Sequence, residues 1–173
     1  MRKEVRIAGF GGQGIVLAGV ILGEAASREG MNVVQTQSYG PESRGGAARS
    51  EVVIADGLVD YPKVTVPDIF IALSQPGFDK YSADVKKGTK IVVDKDLVKT
   101  DMKGAVEAPF LKTAEKVGRK IVANIVMLGY ITSEYQIVSK KTMMATILDR
   151  IPKGTEKLNI KAFEEGYKMG GKS

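Results

Sequence analysis

The pattern of apolar and polar positions changes near the middle of the chain. Short apolar runs broken by glycine- and proline-bearing turns come first, and longer segments of helical period follow. Val5 to Ala8 predicts a first strand, and Gly12 to Arg28 a helix with apolar residues at Ile15, Ala18, Leu22 and Ala26, closed by Gly30. Met31 to Thr36 (MNVVQT) predicts a second strand and Ser50 to Ala55 (SEVVIA) a third. A parallel crossover needs a dozen or more residues and usually a helix, so the stretch QSYGPESRGGAAR between them points to a mixed sheet with an irregular or antiparallel step. Ile69 to Leu73 (IFIAL) predicts a buried strand, SQPGFDKYSADVKKG a turn and short helix ended by Gly88, and Lys90 to Val93 the next strand.

From there the period is helical: Ala108 to Val117, Ile121 to Ser133, Lys140 to Arg150 and Thr155 to Met169, punctuated by Pro109, Gly118, Pro152 and Gly154. The run IVANIVMLGYI, Ile121 to Ile131, is apolar nearly all round, so this helix lies in the core or against another subunit. Asn124 inside it reads as a hydrogen-bonded core amide. The expected fold class is α/β: a three-layer α/β/α Rossmann-like domain with a mixed, mostly parallel sheet and a C-terminal helical end. Residues 1–173 are expected to form a single domain, with Gly170 to Ser173 as a disordered tail and no repeat or linker.

Composition narrows the chemistry. At 173 residues and 43% apolar content, one α/β domain burying roughly 70% of its unfolded surface is expected. No apolar stretch reaches the ~18 to 20 residues of a membrane span, and the N-terminus runs straight into a strand, so a cytoplasmic protein with no membrane association is expected. The chain has no cysteine and no histidine. Thiolate nucleophiles, Cys-ligated iron–sulfur clusters, Ser-His-Asp arrangements and the usual zinc or non-haem iron sites are thereby excluded. The net charge of +6 favours anionic partners without naming one. Lysines at 86, 87, 90, 95, 99, 103, 112, 116 and 120 interleave with acids from Asp84 to Glu115 and lack aromatic platforms, so a solvated face is expected rather than a nucleic-acid site.

Two stretches carry candidate chemistry. Gly9, Gly11 and Gly14 satisfy G-x-G-x-x-G between a strand and a helix, where free backbone N–H groups and the helix dipole favour phosphate. The second strand ends in Gln35-Thr36-Gln37 rather than in the acid that holds a ribose hydroxyl, which disfavours NAD. Three readings of the turn stay open: close helix-to-sheet packing, a phosphate-bearing ligand, or the backbone of a partner chain. Ser38 to Glu51 (SYGPESRGGAARSE) is the second stretch, a glycine- and proline-fixed loop whose Arg44 and Arg49 offer planar donors, or pair with Glu42 and Glu51 on the surface.

Together GFGGQGIVLAG, QSYGPESRGGAARSEVVIAD, DYPKVTVPDIFIALSQ and NIVMLGYI resemble the gamma subunit of the 2-oxoacid:ferredoxin oxidoreductases, closest to the 2-oxoglutarate type. The resemblance covers nearly the whole chain in order. It implies a complex that decarboxylates a 2-oxoacid oxidatively, passes electrons through iron–sulfur clusters to ferredoxin, and makes acyl-CoA (succinyl-CoA) and CO2. It places thiamine diphosphate with the alpha and beta subunits and the clusters in other chains, among them a ferredoxin-like delta subunit. For this chain it implies no catalytic side chain, no activity in isolation, a share in assembly, and a share in the coenzyme A site at Gly11, Gly12, Gln13 and Gly14 with Ser43 and Arg44. The alternatives are a free-standing nucleotide- or coenzyme A-binding module, or the related chain of a pyruvate, 2-oxoisovalerate or indolepyruvate oxidoreductase.

Overall fold

The computed structural model describes residues 1–38 and 46–171. The expected contacts of Ser43 and Arg44 therefore lie outside the described residues, as does the end of the expected tail at 172–173. Six strands form one sheet: β1 (Arg2–Phe10), β2 (Asn32–Gln37), β3 (Ala47–Ala55), β4 (Ile69–Ala72), β5 (Lys90–Asp94) and β6 (Val106–Ala108), in the order β2-β3-β1-β4-β5-β6. β3 runs antiparallel to both β2 and β1, while β1, β4, β5 and β6 pair in parallel. The antiparallel step thus falls where the helix-free QSYGPESRGGAAR stretch puts it.

Alternate residues of the central strands build two cores. Val5 and Ile7 of β1, Val52 and Ile54 of β3 and Ile71 of β4 face a large layer made by α1 (Ile15–Arg28), α3 (Phe110–Val117), α4 (Ala123–Tyr135), α5 (Lys140–Arg150) and α6 (Glu156–Met169). Ala8, Phe70, Ala72 and Val93 face a thin layer made by α2 (Gln75–Tyr81) and the segment around Val98. The three layers are as expected, but one of them is a single short helix.

Several boundaries differ from expectation. Gly12 and Gly14 have φ of 95° and 71°, which keeps these residues out of α1 and delays its start to Ile15. The short helix α2 ends at Tyr81 rather than Gly88, which instead forms a later turn at φ 105°. β6 is an addition, three residues with Val106 and Glu107 exposed, ahead of a helix that begins at Phe110 rather than Ala108. At the C-terminus Gly170 caps α6, and Gly171 donates its N–H to Glu134 Oε2 (2.8 Å), so these two residues are ordered, contrary to the expected tail.

α4 is buried from Asn124 to Ser133, covered by the chain itself rather than left for a partner. α6 lies against it through glycines. A Cβ on Gly166 would run into the Val126 carbonyl, and one on Gly129 into the Phe163 carbonyl. No described helix is long and apolar enough to cross a membrane.

Candidate functional site

The glycine turn joins β1 to α1 at the carboxyl end of the parallel strands. α1 leaves β1 toward the large layer, whereas α2 leaves the neighbouring β4 toward the thin one. The turn therefore sits where consecutive connections part to opposite faces, the place at which open α/β sheets leave a crevice.

Hydrogen bonds inside the chain fix the turn. Gly11 N–H donates to Gly46 O (3.0 Å), tying the turn to the residue before β3, and Gln13 N–H donates to Phe10 O (3.1 Å). The Gln13 side chain accepts from Phe10 N–H (2.6 Å) and donates to Leu73 O (2.9 Å) at the end of β4. Gln13 is thus a brace whose polar atoms are committed within the protein. Gly9 is needed for packing, since a Cβ there would lie 2.6 Å from both Gln13 Oε1 and Ile15 Cδ1. Gly14 is needed twice over, by its left-handed φ and because Asn124 of α4 sits where its Cβ would be. Gly12 differs: a Cβ there would meet nothing within 4 Å. Its positive φ demands glycine, and the space above it is open.

The first N–H taken up by α1 is that of Ala18, on Gly14 O (2.9 Å), and Gly14 supplies no side-chain cap. The N–H groups of Ile15, Val16 and Leu17 consequently have no acceptor within the helix, and the positive end of the dipole points out of the turn.

Two clefts flank Gly12 and share it with Ile121, a residue 56% exposed. The larger, about 790 Å³, runs from the first turn of α1 to the 3-10 turn Lys120–Val122, the start of α4, and the segment leading into α6. Its walls are mainly aliphatic, with Leu17, Ile121, Ile151 and Leu158 among them. The polar side chains at its surface are Arg119, Asn124, Thr155 and Asn159. Arg119 is exposed and makes no ion pair among the described residues. The smaller cleft, about 370 Å³, lies on the other side of Gly12 against Gln13, Asp94 and Lys120. Burial pushes the Asp94 carboxyl above the ordinary aspartate range, although it accepts N–H bonds from Asp96 (2.9 Å), Leu97 (3.2 Å) and Leu111 (2.8 Å) that favour the charged form.

The structure brings Gly11, Gly12, Gln13 and Gly14 together at one rim. It adds Arg119, Asn124 and Asn159, which sequence reasoning did not place at a site: Asn124 reads there as a core amide, Arg119 falls between two segments of helical period, and Asn159 lies within one. Arg49 ends in an ion pair with Glu51 (3.6 Å) and lies over the Tyr81 ring (5.2 Å to the centroid). Glu51 is the partner expected for Arg49 in one of two readings, but its carboxylate is buried rather than on the surface, because it also holds Arg6. Among the described residues no group of His, Cys, Asp and Glu is arranged to hold a metal ion.

Residues 4–169 match the family described as pyruvate ferredoxin/flavodoxin oxidoreductase. The 2-oxoglutarate synthase subunit KorC of Methanocaldococcus jannaschii is 54% identical over 98% of this chain and 94% of its own length. The gamma subunit of a keto/oxoacid ferredoxin oxidoreductase from Geobacter sulfurreducens superimposes with a TM-score of 0.87 at 46% identity, over 97% of this chain and 95% of that one. The 2-oxoglutarate:ferredoxin oxidoreductase of Magnetococcus marinus, solved with 2-oxoglutarate, coenzyme A and succinyl-CoA bound, superimposes with a TM-score of 0.87 at 24% identity. This chain spans 97% of its own length there and 31% of that longer one, a likeness of fold. With the match running from the first strand to the last helix, the chain belongs to the pyruvate ferredoxin/flavodoxin oxidoreductase family.

Proposed function

We propose that residues 1–173 act as one gamma-type domain, the non-redox subunit of a 2-oxoglutarate:ferredoxin oxidoreductase that yields succinyl-CoA and CO2. The observation that carries this reading is the 54% identity to a 2-oxoglutarate synthase subunit across nearly the full length of both chains. Partner alpha and beta subunits hold the thiamine diphosphate, a ferredoxin-like delta subunit carries clusters, and ferredoxin takes the electrons, in the cytoplasm. The absence of Cys and His from the sequence supports placing the clusters elsewhere.

For this chain we assign part of the coenzyme A site to the glycine turn, at Gly11, Gly12 and Gly14. The open space above Gly12, the uncapped N-terminus of α1 and the exposed Arg119, which has no ion pair among the described residues, suit a phosphate group beside an apolar cleft. Gln13 serves by bracing the turn, and Ser43 and Arg44 are proposed as further contacts of the coenzyme.

The test is kinetic, on the oxidoreductase assembled with this chain. Gly12→Ala places a methyl group in open space at the cost of about 1–2 kcal/mol of backbone strain. It is expected to raise the KM for coenzyme A severalfold while the KM for 2-oxoglutarate stays put. Arg119→Ala is expected to act in the same direction, by about tenfold. An unchanged KM for coenzyme A in variants that assemble in normal yield removes the coenzyme A assignment and leaves the turn a packing device. Failure of the chain to co-purify with alpha and beta subunits removes the wider reading.

A further inference from the structure

Two amides in the larger cleft are only half used. Asn124, 4% exposed, donates from Nδ2 to Gly14 O (3.3 Å). Asn159, 5% exposed, donates from Nδ2 to Thr155 O (2.9 Å) and Thr155 Oγ1 (3.1 Å). In both, an NH2 group faces a backbone carbonyl, which accepts and cannot donate, so the amide orientation is fixed. Each Oδ1 is thereby left as the free end, and neither accepts a hydrogen bond among the described residues. Neither is a sealed orphan, since among the described residues the only fully enclosed unpartnered side-chain atom is Glu4 Oε2. Both residues line the same apolar cleft. Each buried side chain thus presents an acceptor, open to the cleft, that a donor on a bound molecule could meet.

The ligand that complements the cleft is therefore defined on three counts. One end is anionic, against the N-terminus of α1 and Arg119. Its body is slender and largely aliphatic, against Leu17, Ile121, Ile151 and Leu158. Along that body it carries N–H donors for two carbonyl oxygens. A flat purine meets the third condition with its amino group but not the second. A phosphorylated pantetheine arm, with two amide N–H groups set in an aliphatic chain, meets all three.

Resting on the coenzyme A reading above, we propose that this cleft takes the phosphopantetheine half of the molecule rather than its adenosine half, with Asn124 and Asn159 accepting from its amide N–H groups. The test is displacement of labelled coenzyme A from the oxidoreductase assembled with this chain, using 4′-phosphopantetheine and adenosine 3′,5′-bisphosphate as separate competitors. The expected result is that 4′-phosphopantetheine displaces the label and that Asn159→Leu weakens it about tenfold, the loss of one acceptor, without altering the bisphosphate. A measurement that needs no variant stands beside it. An analogue of 4′-phosphopantetheine with ester oxygens in place of both amide N–H groups is expected to compete at least tenfold more weakly against the unsubstituted complex.

The proposal is overturned if the ester analogue competes as well as the amide, if 4′-phosphopantetheine displaces nothing, or if Asn159→Leu weakens only the bisphosphate. In each of those cases coenzyme A binding itself stands. If the complex binds no coenzyme A, or Gly12→Ala and Arg119→Ala leave its affinity untouched, the underlying reading falls as well.

Discussion

Among the described residues Arg6 is the largest fully buried side chain, and it lies on the side of the sheet covered by the thin layer. Its guanidinium donates to Glu51 Oε1 (2.7 Å), to both oxygens of Asp84, and to the carbonyls of Tyr81 (3.1 Å) and Val64 (3.3 Å). Burial opposes its charge, but the bonds to Asp84 and Glu51 outweigh that and raise its pKa. In return the hydrogen bond from Arg6 holds the Asp84 carboxyl below the ordinary aspartate range, against the effect of its own partial burial.

A folded pKa that is depressed gives stability that is full above the unfolded value, about 3.9, and is lost as pH falls through the folded value. Asp84→Asn keeps the shape and removes the charge. In urea unfolding, the wild-type chain is expected to be more stable than the Asn variant at neutral pH, with the gap closing below about pH 4. A gap that stays constant to pH 2 contradicts this. Asp94 has the opposite sign. Its raised pKa gives a contribution that is full below about 3.9 and is lost as pH rises through the folded value, so the two aspartates pull the acid limb in opposite directions.

Among the elements, α4 and α6 show why composition at a few positions decides packing. Gly129 and Gly166 let the two backbones touch, with the Val126 carbonyl carbon 2.7 Å from where a Gly166 Cβ would stand. Gly166→Val has no flexible neighbour to displace. It is expected to lower Tm by roughly 5–10 °C or more, and an unchanged melting temperature would mean that the helices slide apart at little cost. Val126, wholly buried on α4, is expected to tolerate Asp even less, with loss of several kcal/mol or of folded protein.

The same elements mark how far the sequence was legible. α5 runs over the residues its pattern predicts, because Ser139 accepts from Thr142 N–H and sets the boundary in a way that sequence carries. α4 was visible as an all-round apolar run, yet its cover was not, since periodicity tells which residues are buried and not what buries them. β6 escaped because three residues, two of them exposed, give no alternation to read. α1 begins three residues later than its pattern predicts because a left-handed glycine looks in sequence like any other residue at a helix start.

The cleft was the least legible feature of all. Its walls come from Phe10 to Leu17, from Arg119 to Ile125 and from Ile151 to Asn159, segments that meet only after α4 and α6 have packed. The glycine spacing pointed to one rim and the basic count to an anionic partner, but Arg119, Asn124 and Asn159 carry no local signal. The composition does bear on the assembly. Without Cys or His, the purified chain is expected to show no visible absorbance band and no 2-oxoacid-dependent dye reduction, and a charge-transfer band from a bound cluster would overturn the division of labour proposed for the complex.

The position of β1 bears on how the protein is made. The first strand of the chain is an inner strand of the sheet, flanked by β3 on one side and by β4 on the other. β4, its parallel neighbour, follows β1 out of a ribosome only after about 60 further residues, which at ~5–20 residues per second is a wait of several seconds. During that interval β3 becomes available to one edge of β1, but the other edge stands open to any strand nearby, and Val5 and Ile7 lack most of the layer that buries them. A chain that stops short of Ile69 never closes the second edge. Truncated or stalled products of this gene are therefore substrates for chaperones and proteases rather than smaller working domains.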